Sequence, residues 1–235
     1  LAAALLVAPL GSALAKGTGY IFVSSENDNA VTVLDGKTYA VVKVIPTGER
    51  PRDMKLSADR EQIFVIASNS ERVDVIDIAK LEVVRSIDVG EDPEMFDFSK
   101  DGSRIGCAHY GGVTVWSLGT AAPPPRRFAW RGSHVALRWS TDGKFIATGT
   151  QENDIHVWRV AQATDMRMQG YPAKVKSLSW TADARFLYTS SQPVFTAWPF
   201  SGKGPEGKPP LQFGDEGAGL MTVVAAHPSA EFVAG

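Results

Sequence analysis

A period of about 41 residues, kept by two independent registers, predicts an all-β fold: a β-propeller of four-stranded antiparallel blades, about five in number. The first register is a Ser-x-Asp or Thr-x-Asp turn, whose aspartates lie 42, 41 and 41 residues apart at Asp59, Asp101, Asp142 and Asp183. The second register runs in steps of 42, 40, 42 and 40 through Leu34, Ile76, Trp116, Trp158 and Trp198. A four-stranded sheet of this size cannot bury both faces alone, and radial packing of copies buries them.

Each repeat contains short apolar or alternating segments separated by residues that tolerate tight reversals, such as 27–29 (Asn-Asp-Asn) and Gly111-Gly112. We assign the inner strand to the residues before the turn, the second strand to those after it, the third to the Val-x-Val-x-Trp or Val-x-Val-x-Asp run, and the outer strand to the residues beyond. The chain then holds three strands over 20–45, four complete blades over 52–213 and two strands over 220–234. Either the last inner strand completes the first three strands into a five-bladed ring, or the chain is truncated from a longer propeller; we favour the second arrangement.

Composition restricts the function classes. The 235 residues are 44% hydrophobic, enough for a sizeable core, and the formal net charge of -2 provides no global field for nucleic acid or anionic lipid. Any partner must therefore be recognised locally, and we expect a monomer with a protein partner, no nucleic acid and no membrane span. The single cysteine, Cys107, lies in an apolar run and is interpreted as a buried small hydrophobe.

The first fifteen residues are uncharged and end in Ala13-Leu14-Ala15, the A-x-A pattern of a signal-peptide cleavage site. We therefore assign 1–15 to a signal peptide that lacks its basic n-region, and 16–235 to the propeller domain. This assignment predicts a periplasmic or secreted protein. A buried helix packed on the domain is the alternative for 1–15.

The repeats of 16–95 resemble YVTN-type propellers. The resemblance rests on 20–24 (YIFVS), 27–29 (NDN), 31–35 (VTVLD) and 48–52 (GERPR). With 90–94 (GEDPE), these segments also resemble the exported propeller proteins associated with catabolism that depends on the quinone cofactor PQQ. The resemblance implies an accessory role beside a periplasmic quinoprotein dehydrogenase.

The repeats of 96–235 instead resemble WD-repeat propellers. Here the third strand ends in Trp at 113–116 (VTVW), 155–158 (IHVW) and 195–198 (FTAW), and the turns read 98–102 (FSKDG) and 139–143 (WSTDG). The Gly-His pair of the family is missing, because His134 lies too close to Asp142 and Trp130 holds the expected offset. We therefore expect the family's His, Asp, Ser and Trp network not to form in full, and each Trp to act as a core wedge with a backbone acceptor for its indole N–H.

Charge changes at the same point. Residues 16–97 contain 10 basic and 16 acidic residues (net -6), whereas 98–235 contain 14 and 10 (net +4). The repeat phase continues across this change, since Asp59 and Asp101 are 42 residues apart. A natural fusion, an assembly artefact and a deliberate recombination of propeller pieces each account for the switch.

Nothing in the sequence forms a recognised catalytic or metal-binding set. The four histidines lie in different repeats without metal-ligand spacing, and nucleophile-elbow and phosphate-loop motifs are missing. The oxygen-rich segment 26–29 suggests calcium, but turn geometry explains it better. We therefore predict no catalytic residues, no metal and no cofactor. His156, between Ile155 and Val157 on a strand, is assigned to blade packing or to a solvent-facing position.

The loops that enter the inner strands crowd around one end of a propeller and are the predicted binding surface of a non-catalytic, exported scaffold. The alternative is a lactonase-like hydrolase, which some YVTN-related propellers support and which would need Arg52, Glu94 and His134 to converge. Arg, Trp and Tyr are the residues that most often dominate interfaces. The candidate partner-binding residues are Arg50, Arg52, Glu94, Trp130, Arg131, His134, Tyr171 and Lys174.

Overall fold

The computed structural model describes residues 17–119, 122–191, 194–202, 204–214, 221–227, 229 and 233–234. The predicted signal peptide, 1–15, lies outside these ranges. The described chain is built of antiparallel strands, with one 3-10 turn at Ser68–Ser70. Among the described residues, no helix has the length and apolar character needed to cross a membrane.

Four complete four-stranded blades follow a three-stranded sheet, in the order predicted. The N-terminal sheet consists of β1 (Tyr20–Ser25), β2 (Ala30–Asp35) and β3 (Val41–Pro46). Blade 1 consists of β4 (Pro51–Leu56), β5 (Gln62–Ala67), β6 (Arg72–Asp77) and β7 (Glu82–Asp88). Blades 2 and 3 share one six-stranded sheet: β8 (Met95–Phe98), β9 (Arg104–Ser117), β10 (Arg126–Trp139), β11 (Phe145–Thr150), β12 (Ile155–Arg159) and β13 (Asp165–Met168). Blade 4 consists of β14 (Ser177–Trp180), β15 (Phe186–Ser190), β16 (Val194–Pro199) and β17 (Leu211–Gly214). A separate C-terminal pair consists of β18 (Ala225–Ala226) and β19 (Val233–Ala234).

The shared sheet arises because two strands serve two roles each. β9 supplies both the second and the third strand of blade 2, because it folds back at Gly111 and Gly112. After this reversal Leu118 donates its backbone N–H to Ser103 O at 2.8 Å. Gly112 has φ +135°, and a Cβ there would lie 2.1 Å from Phe128 O, so the reversal requires glycine. β10 is the outer strand of blade 2 in its first half and the inner strand of blade 3 in its second half.

The repeated Ser-x-Asp turns have one hydrogen-bonding plan. In each, the Ser or Thr hydroxyl donates to the Asp carboxylate at 2.5 to 2.8 Å, and the same carboxylate accepts the backbone N–H two residues on. The residue after Asp has a positive φ in all four turns, from Ala184 at 58° to Gly143 at 74°. The backbone N–H of Arg185, with the Thr181 hydroxyl, lowers the pKa of Asp183 to about 2. The hydrogen bonds of the turn thus favour the ionised form of the aspartate.

The core is divided into clusters that each lie between two neighbouring sheets. Trp158 is 1% exposed and packs with Phe128 of blade 2 and Leu137 of blade 3. Trp116 and Trp198, both half-buried, join the clusters between blades 1 and 2 and between blades 3 and 4. The prediction that the three tryptophans hold equivalent places between blades is confirmed. Cys107 is fully buried, as predicted, and burial raises the pKa of its thiol.

The predictions of about five blades and of a truncated chain stay predictions. In the described part of the chain, β18 pairs with β19 and β1 pairs with β2, and no strand pairing joins the C-terminal pair to the N-terminal sheet. Neighbouring inner strands contact one another in chain order, from β4 through β8, β10 and β14 to β18, and β4 also contacts β1, the first strand of the N-terminal sheet. This order is the arrangement that a propeller requires.

Candidate functional site

The loops that enter the inner strands lie beside the hairpins that join second and third strands, and together they form the upper rim. In the acidic half, Arg50 Nε lies 3.1 Å from Glu26 Oε2, and Arg52 Nε lies 3.8 Å from Glu26 Oε1. Arg52 also pairs with Glu94. These ion pairs join the N-terminal sheet, blade 1 and blade 2. The oxygen-rich hairpin around Glu26 therefore holds arginines of the neighbouring loop.

Backbone geometry fixes the position of this arginine loop. Arg50 has φ 59°, in the left-handed region, and donates its backbone N–H to Asn29 Oδ1 at 2.9 Å. Glu49 donates its backbone N–H to Ser70 Oγ at 2.8 Å. Two hairpins therefore hold the loop from either side, and Glu49 stays exposed between them. A loop that is already ordered in this way loses little conformational entropy when it binds a partner.

In the basic half of the rim, Trp130 is half-buried and Arg131 and Lys174 are exposed. The Trp130 ring stacks on His156, with centroids 4.0 Å apart and an interplanar angle of 23°. Arg167 lies 5.9 Å from the centre of the Trp130 ring. His156 is fully buried and so packs within the blade. Trp130 is thus a rigid aromatic support beside exposed Arg131.

His134 lies inside blade 3 and not on the rim surface. Its exposed fraction is 0%, its Nδ1 lies 2.8 Å from Thr148 Oγ1, and its Nε2 lies 3.2 Å from Trp130 O. Burial lowers the pKa of His134. In the neutral ring Nε2–H donates to the Trp130 carbonyl, which leaves Nδ1 as the acceptor facing the Thr148 hydroxyl. The WD-type network forms only in part, because Asp154 bonds to Thr150 and Arg167.

Tyr171 anchors its loop through its hydroxyl group. The hydroxyl oxygen lies 2.8 Å from Thr189 Oγ1 and accepts the indole N–H of Trp198. Burial raises the pKa of Tyr171 to about 12. The expectation that each third-strand tryptophan finds a backbone acceptor is wrong for Trp198, because the Tyr171 hydroxyl accepts its indole N–H. Tyr171 presents at most part of its ring to a partner.

Sequence reasoning missed a charged group on the inner strands. Lys55 Nζ lies 3.5 Å from Asp53 Oδ2 and 4.0 Å from Asp97 Oδ1. Asp97 also accepts the backbone N–H of Trp139 at 2.9 Å. Burial raises the pKa of Asp97, against the lowering effect of Lys55 and of this N–H. The sequence position of these residues could have revealed the group. Lys55 and Asp97 each lie four residues before a turn aspartate and therefore hold equivalent positions on the inner strands of successive blades.

The three groups needed by a hydrolase do not converge. Arg52 and Glu94 are ion-paired on the rim, whereas His134 bonds to Thr148 and to the Trp130 carbonyl. The carboxylate with a raised pKa is Asp97, which pairs with Lys55. Within the ranges that the structure covers, no three His, Cys, Asp or Glu side chains are grouped to hold a metal ion.

Comparison with known proteins agrees with the division of the chain. The model of the YNCE-like beta-propeller family matches residues 10–101, and that of the WD domain, G-beta repeat, matches residues 127–159. Actin-interacting protein 1 of Caenorhabditis elegans is 28% identical over 96 residues. That match covers 40% of this chain, which spans only 15% of the length of that relative.

Among solved structures, a chain of Kuenenia stuttgartiensis hydrazine synthase is similar, with a TM-score of 0.71 and 18% identity. The similarity covers 92% of this chain and 76% of that one, and at this identity it concerns the fold alone. The fold and the two family matches together identify the chain as a β-propeller with one segment similar to YNCE-like propellers and one similar to the WD repeat.

Proposed function

We propose that the protein is a non-catalytic, exported propeller whose upper rim binds a protein partner. The observation that carries the proposal is the distribution of charge on that rim. Exposed Glu49, Glu91 and Asp92 lie in the acidic half, and exposed Arg131 and Lys174 lie in the basic half. A partner that fits both halves carries separate basic and acidic patches.

The internal anchoring of the rim supports this role. The Arg52–Glu94 ion pair, the Trp130–His156 stack and the Tyr171–Thr189 bond hold three successive loops against their blades. Side chains held in this way lose little conformational entropy on binding. Of the eight candidate residues, the proposal now depends on Arg50, Arg131 and Lys174 for direct contact, and on the others for support.

Specific observations motivate two alternative functions. A lactonase-like hydrolase is favoured by the convergence of Arg52 and Glu94 and disfavoured by the burial of His134 away from them. An accessory role beside a periplasmic quinoprotein dehydrogenase rests on the YVTN-type repeats and on the A-x-A pattern at 13–15. Export to the periplasm or the medium is part of the proposal and rests on that pattern.

The experiment compares two double variants of equal charge change. A partner is first captured by the immobilised protein from a periplasmic extract of the source cells and purified. Its affinity is then measured by calorimetry for Arg131→Ala with Lys174→Ala on the upper rim, and for Arg60→Ala with Lys80→Ala on the opposite rim.

We expect the upper-rim variant to weaken binding by about 30-fold or more, which is about 2 kcal/mol. The control should stay within about twofold. Equal affinity of the two variants, in protein with unchanged circular dichroism, would overturn the proposed surface. Turnover of a lactone that is lost in Glu94→Gln would instead establish the hydrolase.

A further inference from the structure

The lower rim, formed by the Ser-x-Asp turns and the connections from third to fourth strands, carries a cleft beside each of several blades. The cleft between the N-terminal sheet and blade 1 has a volume of about 560 Å³, and that between blades 1 and 2 about 490 Å³. The cleft between blades 2 and 3 is larger, at about 760 Å³. A further cleft of about 500 Å³ lies on the far side of blade 4. All four clefts arise from the same repeated structure, so their linings can be compared with one another.

The cleft between blades 2 and 3 differs from the others in charge. Its lining contains Arg104, Arg126, Lys144 and Arg159 and no carboxylate. In the cleft between blades 1 and 2, two cations face two carboxylates. The first cleft contains one cation and two carboxylates, and the cleft on blade 4 contains one of each. We call the cleft lined by Arg104, Arg126, Lys144 and Arg159 the basic cleft.

Two cations of the basic cleft are held in place without being neutralised. Arg126 donates to Val160 O at 2.5 Å and to Ala161 O at 3.1 Å. The Arg104 guanidinium lies 5.1 Å from the centre of the Trp139 ring. Neither forms an ion pair with a carboxylate of the described chain. The turn hydroxyl beside Asp101 lowers the pKa of that carboxyl, and Arg104 is close enough to add to this effect. Carbonyl and ring contacts fix a guanidinium and leave its full charge available to a ligand.

The other two cations show which ligand chemistry the cleft accepts. Arg159 binds Glu206 Oε1 at 2.6 Å, and Lys144 binds Asp142 Oδ2 at 2.9 Å. Glu206 comes from the connection between β16 and β17 of the next blade, so one carboxylate from another segment of chain already reaches the cleft edge. Even when Asp142, Glu206 and the more distant Asp101 are counted, the cations exceed the carboxylates by one.

The floor of the basic cleft is apolar. Phe145 and Val160, which are 7% and 8% exposed, line it together with the four cations. A site that combines unneutralised guanidinium groups with an apolar floor suits a ligand that carries both carboxylates and apolar side chains. A free inorganic anion would use only the charge.

We propose that the basic cleft binds an acidic peptide segment, whose carboxylates pair with Arg104 and Arg126 and whose apolar side chains rest on Phe145 and Val160. The site is on the rim opposite the partner surface proposed above, and its occupation does not depend on that proposal. Two acidic segments of a single partner, or two partners, bind at once if both surfaces are used.

The test uses the full chain and a fluorescein-labelled peptide of sequence Glu-Glu-Leu-Glu-Glu-Leu, with binding followed by fluorescence anisotropy at 50 and 200 mM salt. Arg104→Gln with Arg126→Gln removes the two unneutralised charges. Arg85→Gln with Lys100→Gln removes two charges from the equivalent cleft between blades 1 and 2 and is the matched control. Arg104→Gln alone keeps the carbonyl bonds of Arg126 and serves if the double variant does not fold.

We expect at least a tenfold rise in Kd for the double variant, a smaller rise for Arg104→Gln alone, and less than a twofold change for the control. Affinity should fall as salt rises, because charge pairs carry the contact. Equal weakening by test and control variants would show attraction to net charge and would overturn the proposal. Displacement by inorganic phosphate, together with unlabelled peptide in which both Leu are Ser competing as well as the Leu peptide does, would assign the cleft to a simple anion and would overturn the proposal too.

Discussion

Tyr171 and Thr189 place their side-chain oxygens 2.8 Å apart within blade 4. In blade 3, His134 Nδ1 lies at the same distance from Thr148 Oγ1. Thr148 and Thr189 each follow a turn aspartate by six residues, so two blades keep one threonine position and fill the opposite side with different residues. The contact ties the loop of the upper rim to the second strand of its blade.

Tyr171→Phe tests this contact. The change removes the acceptor of the Trp198 indole N–H and a partner of Thr189, in a buried place where water does not replace them. We expect the free energy of unfolding in urea to fall by about 1 to 3 kcal/mol. Tyr39→Phe, at a side chain that is 68% exposed, is the control and should cost less than about 0.5 kcal/mol. Equal, small effects of both changes would contradict the anchoring role.

Trp158→Ala tests the packing between blades 2 and 3. Because Trp158 is 1% exposed, its loss should cost about 3 to 5 kcal/mol in urea unfolding. Half-buried Trp198 should cost less when it is replaced in the same way. Trp158→Phe preserves most of the apolar volume and gives a measurable value if the alanine variant does not fold. A loss below about 1 kcal/mol for Trp158→Ala would contradict the buried position.

Gly149→Ala tests the approach of blade 3 to the loop before β14. A Cβ at Gly149 would lie 2.0 Å from Val175 O and 2.9 Å from its carbonyl carbon, so the backbone of the neighbouring loop must move. We expect a loss of about 1 to 3 kcal/mol, the usual range for overpacking. At Gly119 a Cβ would meet nothing within 4 Å, and Gly119→Ala should leave the thermal midpoint unchanged. A stable Gly149→Ala variant would show that the two blades are not in close contact.

Asp97→Asn tests the charged group on the inner strands. Since burial raises the pKa of Asp97 above 3.8, the folded protein binds this proton more tightly than the unfolded chain does. The aspartate then contributes stability below 3.8, and this contribution is lost as pH rises through its folded pKa. The stability of Asp97→Asn relative to the parent should therefore increase with pH from about 4 upward.

Urea unfolding at pH 3, 5 and 7 measures this difference. Asn retains an oxygen for the Trp139 N–H, so the comparison isolates the charge. Asp88→Asn, at an exposed residue of β7, is the control. Parallel pH curves for the parent and for Asp97→Asn would contradict the effect of burial.

The repeat features could be predicted because they are local. A Ser-x-Asp turn forms its hydrogen bonds within five residues, and Trp158 takes its place from a strand pattern that the sequence displays directly. The number of complete blades follows from these two registers. The same local rules explain why Cys107, in an apolar run on β9, is buried.

The position of His134 could not be predicted by counting residues. The offset from Asp142 assumes a loop between outer and inner strands, whereas β10 continues through that point with register shifts at 129–133 and 134–136. These irregularities turn His134 toward Thr148. The basic cleft could not be predicted for another reason. Arg104, Arg126 and Arg159 come from different strands and lie close together only after the blades pack.

The continuity of β10 affects how the protein opens. Since one continuous strand belongs to blades 2 and 3, separating these blades requires bending or unpairing β10, whereas blades 3 and 4 are in separate sheets. In hydrogen exchange, the amides of β8 to β13 should therefore exchange together as one cooperative unit, ahead of or behind β14 to β17 but not in step with them. The sequence repeat corresponds to one blade, whereas the expected unit of unfolding spans two blades.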